Sequence, residues 1–201
     1  MKTYPKDFQE FFTIEELNFS LRNEILGTRP AQKGDLGLVL DGTVLLEYMD
    51  KNGLRRIVDF YNAGDYFFLK PSLFFGKADF CTLARSKCKI AFFYRKKNAL
   101  GSCEELPSVF YESIYPSLQS SALAHINILQ QPSLRRKIFS FLQYYSQRCH
   151  RNPFSLTLSF TDCADFLAVD RSAMMRELGR MEKEGLLQHK GRNVSLLQPL
   201  N

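Results

Sequence analysis

The chain has 201 residues, with 27 Lys and Arg against 21 Asp and Glu, five Cys, three His and no Trp. Apolar residues make up 45% and charged residues 24%, the balance of a folded globular protein and too apolar for a disordered one. No run of about 18 uncharged apolar residues is present, which excludes a transmembrane helix. The segment Met1–Asp7 lacks the apolar stretch of a secretory signal, so a cytoplasmic protein is expected. Cys81, Cys88, Cys103, Cys149 and Cys163 are odd in number, widely spaced and never arranged as Cys-x-x-Cys. Neither a disulfide framework nor a thiolate metal cluster is expected from them, and no cofactor is.

In chain order, Leu36–Leu40, Val44–Met49, Ile57–Tyr61, Tyr66–Leu69, Phe80–Ala84 and Ile90–Tyr94 are short apolar runs separated by turn residues. Asp41-Gly42 and the Asn-Gly pair ending at Gly53 are hairpin signals, because these residues accept the positive φ that such turns require. Asn62–Asp65 supplies a further turn. Six strands so spaced predict an antiparallel sandwich or barrel with an aromatic core of Phe60, Phe67, Phe68, Phe74, Phe75, Phe80, Phe92 and Phe93. The segment before Leu36 is short, so the first strands there are expected to be abbreviated.

Beyond Asn98 the period becomes helical. Pro116 can open a helix over Ser117–Gln131, which Pro132 stops. Leu118, Ala122, His125 and Leu129 are spaced 4-3-4, as in the seam of a coiled-coil dimer. Leu123, Ile126 and Ile128 lie off that seam, so the helix needs two packing surfaces. A second helix over Ser133–Arg148 begins with a serine cap and carries Ile138, Phe141, Leu142 and Tyr145 at helical spacing. The predicted organisation is 1–115 β unit, 116–131 dimerisation helix and 132–201 C-terminal domain.

That last domain holds 11 basic and 6 acidic residues, a net of +5, against +1 for residues 1–131. A basic excess confined to one small module suggests a polyanionic partner. Ser159 and Asp162 have the spacing of a capping box, Cys163 and Leu167 face inward, and Asp170 caps the next helix. Met174, Leu178 and Met181 form its apolar stripe. Opposite that stripe project Arg171, Ser172, Met175 and Arg176, with Gly179 further along the same face. Two guanidiniums and a hydroxyl on one helix face suit a major groove, where Arg can bridge guanine O6 and N7. Leu186–Lys190 and Asn193–Leu197 form a hairpin with Gly191-Arg192 at its tip.

These motifs resemble the Crp/Fnr family of bacterial transcription regulators. Val169–Leu178 is similar to the family's recognition helix, Gly64-Asp65 to its Gly-Asp turn, and Ser117–Gln131 to its dimer helix. The resemblance implies an α+β protein with an N-terminal antiparallel β jelly-roll of cyclic-nucleotide-binding type. A long dimerisation helix and a C-terminal winged helix-turn-helix follow it. It implies a homodimer on a pseudo-palindromic DNA operator, contacting RNA polymerase if it activates. Arg171, Ser172, Met175 and Arg176 would read bases. Ser159, Thr161, Lys190 and Arg192 would contact phosphates.

Leu69, Ala78 and Asp79 align where cyclic-nucleotide-binding members carry a ribose-binding Glu and a phosphate-binding Arg pair. An unidentified effector other than cyclic AMP is therefore expected. Ala168 stands where the family has a turn glycine. No nucleophile–His–acid spacing or Gly-rich phosphate loop appears, so no enzyme is expected. The alternative is a ligand-binding or redox-sensing module, with Cys149 between Arg148 and His150 as its thiol, whose basic C-terminus docks an acidic partner.

Overall fold

A computed structural model describes residues 8–21, 23–26, 36–49, 55–69, 80–96, 112 and 114–198. The chain divides into two compact units, Met1–Ser121 and Ala122–Asn201. Antiparallel sheets in the first and helices with a small sheet in the second make the protein α+β, as expected. Among the described residues no helix is long and apolar enough to cross a membrane.

The first unit contains α1 (Phe8–Phe11), β1 (Phe12–Phe19), β2 (Glu24–Ile25), β3 (Leu36–Asp41), β4 (Thr43–Met49), β5 (Arg55–Asn62), β6 (Tyr66–Phe68), β7 (Phe80–Ala84) and β8 (Cys88–Arg95). They form two four-stranded sheets, ordered β1-β8-β3-β6 and β2-β7-β4-β5, with every pair antiparallel. Alternation along β8 explains its unbroken apolar run. Ile90 and Phe92 pack with Val39, Val44, Leu46, Phe67 and Leu69, while Ala91 and Phe93 pack on the opposite face with Phe8, Phe12, Leu36, Leu38 and Ile114. A strand buried on both faces cannot show a polar–apolar period. Of the expected aromatic core, Phe60, Phe67, Phe92 and Phe93 are buried and Phe68 and Phe80 half-buried. Phe74 and Phe75 lie outside the described residues.

Two expectations change. Asp41-Gly42 is a tight turn, with Gly42 at φ +88°, yet β3 and β4 belong to different sheets. It is a corner between sheets and not a hairpin. Glycine is required there twice over, since a Cβ would also run into the Lys87 carbonyl and the Cys88 thiol. The expected turn at Asn62–Asp65 is present, and it forms a corner from β5 in one sheet to β6 in the other, with Gly64 at φ +94°. Finally, β1 is a full eight-residue strand where an abbreviated one was expected. Its adjacent Glu15 and Glu16 break the apolar alternation, but each finds a partner across the pair with β8: Tyr94 Oη donates to Glu15 at 3.1 Å, and Lys89 Nζ lies 2.6 Å from Glu16. Burial and that carboxylate push the Tyr94 hydroxyl up to about 12.

Helix α2 (Tyr115–Leu129) crosses the boundary between the units. In the first unit the Ser121 hydroxyl donates to the buried Asp59 carboxylate of β5, 2.9 Å from each oxygen. The division between the two units falls inside α2.

The second unit continues with α3 (Leu134–Cys149), β9 (Phe154–Ser155), α4 (Phe160–Phe166), α5 (Arg171–Lys183), β10 (Leu187–Lys190) and β11 (Asn193–Leu196). Ser133 caps α3 by accepting from the Arg136 amide at 3.2 Å, as the sequence predicts. The α3 residues Ile138, Phe141, Leu142 and Tyr145 are buried. A three-stranded sheet, ordered β10-β11-β9, closes the unit. The Asn152 side chain extends it by bonding both the N–H and the carbonyl of Leu196, at 2.9 and 2.8 Å.

Candidate functional site

The second unit holds the residues with functional potential, and local chemistry places most of them. Ser159 and Asp162 close a capping box at the start of α4. The Asp162 amide donates to Ser159 Oγ at 3.1 Å, and Asp162 Oδ2 accepts from the Ser159 amide at 3.1 Å and from its hydroxyl at 2.7 Å. Tyr145 pins the approach to this helix, since its hydroxyl accepts from the Thr157 amide at 2.7 Å. Burial pushes the Cys163 thiol far up, with Asp162 adding to the effect, so Cys163 stays protonated and serves as core.

Between α4 and α5 the chain turns through Ala168, whose φ is +53°. Its amide donates to the Asp165 carbonyl and that of Val169 to the Ala164 carbonyl, both at 3.0 Å. An L-residue in this left-handed conformation carries strain of roughly 1 kcal/mol. Ala168→Gly is therefore expected to stabilise the protein by about 1 kcal/mol, seen as a higher urea midpoint at unchanged slope. An unchanged midpoint would mean the turn is unstrained.

Asp170 caps α5, accepting from the Ala173 amide at 2.7 Å. The helix then divides cleanly by face. Met174, Leu178 and Met181 are buried, while Arg171, Ser172 and Arg176 are exposed and Met175 half-buried. The four candidate base-reading residues thus share one outward face of one helix.

Thr161, Lys190 and Arg192 are exposed, the last two flanking Gly191 in the β10–β11 turn. The Arg192 guanidinium turns back to donate to the Thr157 carbonyl at 3.2 Å. The Ser159 amide and hydroxyl both donate to Asp162, so a phosphate bond from either would compete with the cap. The Glu182 carboxylate of α5 ties down β10 by accepting the His189 amide at 3.1 Å.

A clamp that the sequence analysis does not identify holds α5 in place. Arg135 of α3 donates to Glu177 at 2.6 Å and, in a fork, to both Glu184 oxygens at 2.5 and 2.9 Å; Arg180 adds a bond to Glu177 at 3.2 Å. Glu177 is buried at the edge of the apolar stripe. The hydrogen bonds to Glu184 and Glu177 hold the Arg135 guanidinium above its ordinary range, and Arg135 holds the Glu184 carboxyl below its own. Only the 42-residue separation hid this pair; the residue types are present in the sequence.

The residues of the expected seam lie in different surroundings within the chain. His125 is not on an open face: its ring stacks on Phe166 of α4 at 3.8 Å and 14°, and Nε2–H donates to the Phe166 carbonyl at 2.8 Å. Leu129 is half-buried, Ala122 is exposed, and the Leu118 side chain lies outside the described residues. Among the described residues of α2, the exposed large apolar side chains are Leu123, 58% exposed, Ile126, 52% exposed, and Tyr115 at its first turn. Leu123 and Ile126 each follow an expected seam residue by one position, about 100° around the helix. Cys149 is half-buried in the last turn of α3.

The chain shares its fold with solved transcriptional regulators of the Crp/Fnr family. The chain is similar over nearly its whole length to TTHB099, a CRP-family transcriptional regulator from Thermus thermophilus, at 20% identity and a TM-score of 0.64, covering 90% of this chain and 92% of that one. It is similar to FixK2 from Bradyrhizobium japonicum at 18% identity and a TM-score of 0.71, covering 92% and 93%. To TTHA1359, a CRP/FNR-family transcriptional regulator also from Thermus thermophilus, the likeness is 18% with a TM-score of 0.60, covering 92% and 94%. No protein-family model and no curated protein sequence matches the chain.

Proposed function

We propose that the protein is a sequence-specific transcription regulator that binds a pseudo-palindromic DNA operator as a homodimer. In this reading α4, α5 and the β10–β11 hairpin act as a winged helix-turn-helix and the two sheets as a jelly-roll that senses an effector. The observation that carries it is the division of α5, whose buried stripe leaves Arg171, Ser172 and Arg176 together on the opposite face. Arg at such a face can bond guanine bidentately, and Thr161, Lys190 and Arg192 can hold phosphates on either side.

Paired half-sites about one helical turn (~34 Å) apart require two such helices, hence two chains. Leu123 and Ile126 supply the apolar surface for a second copy of α2, in place of the seam through His125. The effector is not a cyclic nucleotide in this reading. Leu69, aligned with the ribose-binding Glu of cyclic-nucleotide-binding members, is 5% exposed within an apolar core and offers a sugar hydroxyl nothing. Ala78 and Asp79 lie outside the described residues.

Selection from a random-sequence duplex pool tests this proposal. Enrichment of a two-fold symmetric motif, with affinity falling steeply as salt rises, is the expected result. No enriched motif would overturn it.

The base and phosphate roles separate by mutation. Arg176→Ala is expected to lower affinity for the selected duplex by about 1–3 kcal/mol and relax preference at one base pair of each half-site. Lys190→Ala is expected to weaken matched and scrambled duplexes alike and to flatten the salt dependence. Lys190 is a cleaner probe than Arg192, whose bond to Thr157 makes its removal partly structural. Equal losses on matched and scrambled duplexes for both variants would refute the assignment.

A further inference from the structure

Gly179 lies in the interior of α5, where glycine lowers helix stability relative to alanine. Nothing in the fold asks for it. Beyond its chain neighbours and its own helix backbone, a Cβ built at Gly179 would meet no atom within 4 Å, whereas at Gly37 it would strike the Phe67 ring and at Gly42 the Lys87 carbonyl. The missing side chain is therefore not explained by packing. At 100° per residue, Gly179 projects within about 60° of Ser172, Met175, Arg176 and Lys183, away from the buried Met174, Leu178 and Met181. It falls about 4.5 Å along the axis beyond Arg176, and the exposed Lys183 follows one turn later on the same face.

We propose that Gly179 is a clearance position that sets how deeply α5 seats in DNA. One sugar–phosphate strand of the groove passes against the bare backbone at Gly179, with Lys183 beside it to offset the phosphate charge. This rests on the function proposed above and adds a specific residue to it. A side chain at Gly179 would hold the helix off the groove and lengthen the hydrogen bonds from Arg176, which weaken steeply with distance and misalignment.

The test compares the wild type, Gly179→Ala and Gly179→Leu on the duplex that the wild type enriches from a random pool, alongside their melting temperatures. Both variants are expected to melt at or above the wild type. Gly179→Ala should bind the duplex roughly tenfold more weakly, as overpacking at a close contact does, and Gly179→Leu more weakly still. Wild-type affinity in Gly179→Ala overturns the inference. So does weaker binding with a lower melting temperature, because glycine would then serve the fold. A wild type that enriches no duplex overturns the proposed function itself and this inference with it.

Discussion

Ile126→Glu is expected to convert the protein to a monomer at micromolar concentration and to weaken binding to a symmetric operator by at least about 100-fold. Ile126 is 52% exposed and Leu123 58%, so neither is needed to complete the core of its own chain. In a homodimer about α2 they would meet their symmetry mates, and a carboxylate at each Ile126 would place like charges across the two-fold axis. Linked half-sites gain affinity through effective concentration, commonly by a factor of about 10² to 10⁴, and separated ones lose it.

The thermal stability of Ile126→Glu should match that of an isolated wild-type chain, since the residue is open in the monomer. Sedimentation and operator titration on the same preparations check both halves. Leu129→Glu is the informative comparison. Leu129 is half-buried, so a carboxylate there also disturbs the chain's own packing and cannot separate the two effects. A wild-type monomer, or full operator affinity in Ile126→Glu, would remove α2 as the dimer contact.

Phe166→Ala is expected to destabilise the second unit by about 3–4 kcal/mol, the usual cost of deleting a buried aromatic ring. Phe166 is 2% exposed, its ring centroid lies 5.5 Å from that of Phe141, and the His125 ring covers it at 3.8 Å. The cavity would open at the end of α4, under the turn that leads to Asp170 and α5. His125→Ala should cost far less, since the histidine is only partly buried. Urea denaturation of the two variants, read by far-ultraviolet circular dichroism, gives the difference. A loss below about 1 kcal/mol for Phe166→Ala would mean the surrounding helices collapse into the space, at odds with a rigid frame beneath the turn.

What the sequence by itself determined here is local chemistry. The capping box at Ser159 and Asp162, the Asp170 cap, the Ser133 cap and the strained turn at Ala168 depend on residues within a few positions of one another. Their hydrogen bonds form wherever the chain goes next. The two faces of α5 were legible for the same reason, because a 3.6-residue period is a property of the segment alone.

Tertiary structure decided the rest. Asp41-Gly42 signals a turn whether its strands pair with each other or part into different sheets, and pairing with β8 and β5 settles which. In β1, Glu15 and Glu16 obscure the strand until Tyr94 and Lys89 of β8 reach them diagonally across the pair. Along α2, heptad spacing favoured His125, but Phe166, 41 residues later in the chain, covers that face and leaves Leu123 and Ile126 open. Arg135 and Glu177 carry no signal of their contact. A side chain's exposure is set by what packs over it, and a partner distant in sequence leaves no periodic trace in the segment it covers.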